Sequence, residues 1–103
     1  MKLLLIMAIE SHAKEVRKIL QNNGVSVYSE TDIEGFNTQQ HKPDISSWFA
    51  ADTYKRLSKL FFSIQDEATV AVVLEAVKKH NNTNPECENY PLHAFQLNVE
   101  ASV

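Results

Sequence analysis

Glycine is scarce in this chain of 103 residues, which has only Gly24 and Gly35. Glycine alone adopts positive φ cheaply, so each is expected to mark a turn or a close approach by another group. A single cysteine, Cys87, excludes an internal disulfide, and nothing points to an oxidising compartment. Two arginines and a formal net charge of −3 argue against nucleic acid as the main partner. Long apolar runs are also missing. The first, Leu3 to Ile9, is too short to span a bilayer, and Glu10-Ser11-His12-Ala13-Lys14-Glu15 follows it without a cleavage region. This start reads as a buried first strand of a cytoplasmic protein. The hydrophobic fraction of 44% and charged fraction of 22% are those of an ordinary globular domain, and the length suits one domain, residues 1–103.

Periodicity supplies the elements. Leu3 to Ile9 is apolar on both faces, as in a strand covered on both sides. Ser11 is placed to cap a helix in which Ala13, Val16, Ile19 and Leu20 recur at helical spacing, and Gly24 suits its left-handed stop. Val25, Val27 and Tyr28 open a second strand running towards Ile33. Polar sequence from 37 to 58, with Pro43 and the lone Trp48, reads as a long loop, and Leu60-Phe61-Phe62-Ser63-Ile64 as the third strand. Asp66 is expected to cap a second helix with Val70, Val73, Leu74 and Val77 on one face. Asn81 to Pro91 reads as a polar linker. In Leu92 to Val99, Phe95, Leu97 and Val99 alternate with Ala94, Gln96 and Asn98, the pattern of a fourth strand.

The order β-α-β-β-α-β predicts an α+β, ferredoxin-like domain. Right-handed crossovers put both helices on one face of a four-stranded antiparallel sheet. The other face then has no cover within the subunit, although the first strand is apolar on both sides and Phe61 and Phe62 point to opposite sides of the third. An open apolar face of that kind predicts assembly into a homo-oligomer with sheets packed together.

In element order and length the chain resembles the PII superfamily of trimeric signalling proteins. Glu34-Gly35-Phe36-Asn37-Thr38-Gln39 resembles the stretch where PII proteins enter their T-loop, and residues 37–58 correspond to that loop in length. The resemblance implies a homotrimer with its sheets facing inward. It also implies a small effector in the clefts between subunits, near Gly35, Phe36, Asn37, Thr38 and Gln39. The loop would reach a target, often the cytoplasmic face of a membrane transporter. PII proteins hold nucleotide phosphates partly with a glycine- and lysine-containing loop before the last strand. Here Asn84-Pro85-Glu86-Cys87-Glu88-Asn89-Tyr90-Pro91 has neither residue and two acids, which repel phosphate. With no tyrosine at the loop tip and no basic C-terminal tail, the sequence points away from ATP binding of the usual kind and from uridylylation, towards a different or lost effector.

Other chemistry has thinner support. Cys87, Glu86, Glu88 and His93 are metal-ligating types at no recognised spacing. A site completed across a subunit interface, as in the metal-associated CutA-type trimers this chain also resembles, is the alternative reading. The plainer reading of those residues is a solvated linker with an incidental thiol, and of His12 a surface position. Trp48 and Phe49 are either a lid on their own subunit or an anchor for a partner. No nucleophile has an oriented base, so an enzyme is not expected.

Overall fold

The computed structural model describes residues 1–36 and 56–103. Four strands, β1 (Lys2–Ile9), β2 (Ser29–Gly35), β3 (Arg56–Gln65) and β4 (His93–Asn98), form one sheet in the order β2-β3-β1-β4, every neighbouring pair antiparallel. Helices α1 (Ala13–Asn22) and α2 (Glu67–Thr83) follow β1 and β3. The apolar stripes of both helices explain the packing. Ala13, Val16 and Leu20 of α1 and Val70, Val73 and Val77 of α2 are buried with Leu4, Ile6 and Ala8 of β1 and Phe61 of β3. Burial of full-sized aliphatic and aromatic side chains contributes about 1.5–3 kcal/mol each, so this layer holds the fold together.

Polar groups fasten the layer at its margins. Asp66 caps α2, accepting the Thr69 N–H at 2.7 Å. Gly24, with φ +88°, takes the predicted left-handed stop of α1, where the Val25 N–H reaches Leu20 at 2.9 Å. Arg17 forks onto Glu30, donating Nε to Oε2 at 2.9 Å and Nη2 to Oε1 at 2.7 Å, which ties α1 to the edge strand β2. The buried Ser63 hydroxyl donates to the Val27 carbonyl at 2.7 Å and accepts from Gln65.

Several boundaries differ from the pattern-based reading. A 3-10 turn, Glu10–His12, precedes α1, so His12 rather than Ser11 is the N-cap residue, without a side-chain cap bond. In that position His12 is buried, 4% exposed, and not on the surface. β2 begins at Ser29. Val25 already belongs to the core, while Val27 points to solvent. β3 begins at Arg56, so the last residues of the expected 37–58 loop belong to a strand. The expected linker from Asn81 is instead ordered. α2 continues to Thr83, and a second 3-10 turn spans Pro85–Glu88. The Asn81 carboxamide makes this possible by pairing with both backbone groups of Leu92, Nδ2 to the carbonyl at 2.8 Å and the N–H to Oδ1 at 2.9 Å. Those two bonds act like one rung of a sheet and hold the end of α2 against the entrance to β4.

Candidate functional site

Strand register decides what the helix-free face carries. Residues opposite one another in antiparallel strands share a face. Ile6 opposes Phe61, which puts Phe61 among the helices, and Leu5 opposes Phe62, which puts Phe62 on the open side. Three rows then cross β3, β1 and β4: Ile64-Leu3-Leu97, Phe62-Leu5-Phe95 and Leu60-Met7-His93. Phe62, Phe95, Ile64 and Leu97 remain 37–49% exposed, whereas Phe61 is 1% exposed and meets the Tyr28 ring. Eight of the nine positions are apolar. The face is therefore continuous across three strands, with Ser29 and Thr31 of β2 adding a polar margin beside Phe62 and Leu60.

A second feature lies at the end of the sheet where β1 and β2 finish and β3 and β4 begin. Gly35 is the last residue of β2, buried and opposite Arg56, so the chain between those strands leaves and returns side by side. Phe36 follows it and is exposed. Asn37, Thr38, Gln39, Trp48 and Phe49 lie outside the described residues. To the same end the fold brings the first 3-10 turn, the start of α1, the second 3-10 turn and His93. Among the described residues no helix is long and apolar enough to cross a membrane.

The expected metal-ligating residues separate there. Cys87 is buried within the second 3-10 turn, while Glu86 and Glu88 beside it face solvent. Burial pushes the Cys87 thiol above its ordinary pKa, and the Glu86 and Glu15 carboxylates add to that, opposed by the Leu92 N–H. His93 sits instead at the margin of the open face, where desolvation lowers its pKa. Among the described residues no three of His, Cys, Asp and Glu come together as an ion site.

Sequence reasoning missed the polar groups enclosed at this end. His12 Nε2 lies 3.8 Å from Glu86 Oε2. His12 Nδ1, Glu15 Oε2 and His80 Nε2 are buried without a hydrogen-bond partner among the described residues. A signal existed: His12 stands four residues before Val16, on the apolar stripe of α1.

Sheet order, helix placement and an uncovered face define a ferredoxin-like domain of the βαββαβ class. Solved structures of the same fold include PII-like proteins. The chain is similar to a PII-like signaling protein from Thermus thermophilus (16% identity, TM-score 0.58, covering 95% of this chain and 84% of that one). It is also similar to CPII, a nitrogen regulatory PII-like protein from Thiomonas intermedia, bound to ADP, AMP and bicarbonate (14% identity, TM-score 0.57, 99% and 94% covered). A third similar structure is a DUF3240 family protein from Shewanella baltica (14% identity, TM-score 0.60, 99% and 92% covered). No protein-family model and no curated protein matches the sequence. At these identities the likeness establishes the fold, and the chain is a divergent example of it.

Proposed function

We propose that the protein is a PII-like regulatory protein: a cytoplasmic homotrimer that binds a small effector between subunits and acts on a partner through the chain between β2 and β3. The observation carrying this reading is the apolar face of β3, β1 and β4. Phe62, Ile64, Phe95 and Leu97 would lose their remaining exposure when sheets of three subunits face one another. The effector borders Gly35, Phe36, Asn37, Thr38 and Gln39, because these residues join the rigid second strand to the loop. Trp48 and Phe49 are its contact with the partner, which by the resemblance is the cytoplasmic face of a transporter. The role is binding rather than catalysis. An effector acts by favouring one arrangement of the loop over another, and only to the extent that its affinity for the two differs.

The charge of the site narrows the effector. In the stretch where PII proteins contact phosphates, this chain has a 3-10 turn with Glu86 and Glu88 exposed and no lysine. Nucleotide triphosphates are disfavoured there by charge. The ligands of CPII make AMP, ADP and bicarbonate the first compounds to try.

A thermal-shift screen read together with Trp48 fluorescence tests this. A compound at a hundredfold its Kd should add about 2.7 kcal/mol of stability, and Trp48 emission should move with it. A trimer whose melting temperature and Trp48 emission ignore AMP, ADP, bicarbonate and other small anions would overturn the effector reading. A response to Zn²⁺ or Cu²⁺ alone, lost on Cys87→Ser with His93→Ala, would replace it with a metal-binding trimer.

A further inference from the structure

We propose that Asn23 is the site of spontaneous deamidation in this chain, a slow covalent change that unfastens the end of α1. Of all the asparagines, Asn23 alone is followed by glycine. In the reaction the Gly24 amide nitrogen attacks Asn23 Cγ. The Cγ–Nδ2 bond breaks, and ammonia leaves with the proton from the attacking nitrogen. Water then opens the five-membered imide at one of its two carbonyl carbons, leaving an aspartyl or isoaspartyl residue. The following residue normally obstructs the attack with its side chain, and glycine has none.

The structure sets both the rate and the consequence. Gly24 is exposed, and a Cβ built on it would meet nothing within 4 Å, so the space around the nucleophile is open. Its N–H is held loosely, 3.5 Å from the Gln21 carbonyl, against 2.9 Å for the neighbouring Val25 to Leu20 bond. Asn23 has ψ 22°, which turns the Gly24 nitrogen away from Cγ, so the ring closes only when the last turn of α1 opens. The leaving amide meanwhile has a structural task. Asn23 Nδ2 donates to the Ile19 carbonyl at 2.7 Å, one of the last acceptors of the helix. After deamidation a carboxylate oxygen faces that carbonyl, at the negative end of the helix dipole, with no proton to donate. An isoaspartyl product also lengthens the backbone just before Val25, which is buried in the core.

Incubation of the protein in mildly alkaline buffer, followed by peptide mapping and isoaspartyl methyltransferase labelling, tests the assignment. Asn23 is expected to convert before any other asparagine, at least about tenfold more slowly than in a free peptide of residues 19–27, since opening must precede attack. Conversion of another asparagine first, or equal rates in protein and peptide, would each overturn it. Asn23→Asp tests the consequence separately. At neutral pH it should melt below wild type, with the gap closing as acid restores a donor proton to the carboxyl group. Equal melting temperatures at neutral pH would refute the unfastening.

Discussion

Phe62→Glu places the sharpest demand on the proposed trimeric assembly, because it charges the centre of the open face without touching the helical core. Phe62 is 39% exposed in the subunit, in the row with Leu5 and Phe95. For a side chain of about 200 Å² that leaves about 80 Å² for a neighbouring sheet to cover. At about 25 cal/mol per Å² the loss is about 2 kcal/mol per subunit, or about 6 kcal/mol per trimer. That alone weakens association by about ten-thousandfold. Enclosing an unpaired carboxylate adds several kcal/mol per ion, so the two effects act in the same direction. Sedimentation velocity at micromolar concentration is the assay: wild type should run as a trimer and Phe62→Glu as a folded monomer with helical circular dichroism. Val72→Glu, on the outer surface of α2, is the control and should leave the trimer intact. By contrast Phe61→Glu should unfold the subunit, because Phe61 is 1% exposed among the helices. A Phe62→Glu protein that sediments like wild type, or a wild type that is monomeric, would refute the reasoning.

The remaining predictions concern single groups. Accepting the Thr69 N–H keeps the Asp66 carboxyl below the usual carboxylate range, so its contribution is present above the unfolded pKa and is lost as pH falls through the lowered folded value. Asp66→Ala should therefore lower the urea midpoint at neutral pH and converge on wild type in strong acid; a gap independent of pH would sink the cap argument. The Cys87 thiol, buried and raised in pKa, should react with a thiol reagent at least about tenfold more slowly than free cysteine at mildly alkaline pH, recovering on denaturation. Reaction at the free-cysteine rate in the folded protein would contradict the burial.

Local pattern was sufficient wherever an element's identity depends on its own residues. Helical spacing in Val16-Leu20 and Val70-Val73-Val77, alternation in Phe95-Leu97, and Gly24 as a stop are written within a few residues, and together they lead to the sheet order. That Phe61 and Phe62 oppose one another follows from the twofold period of a strand. Which of them enters the core does not, because it depends on the register that sets Ile6 against Phe61, a partnership across more than fifty residues. The same limit explains the other differences. α2 extends to Thr83 because Asn81 finds the backbone of Leu92, and His12 is buried because a 3-10 turn displaces the start of α1. Cys87 and His93, close in sequence, diverge because one turns into the subunit and the other stands on the open face. Periodicity specifies which side of an element is apolar; only packing against distant partners decides whether that side is enclosed within the fold or left open.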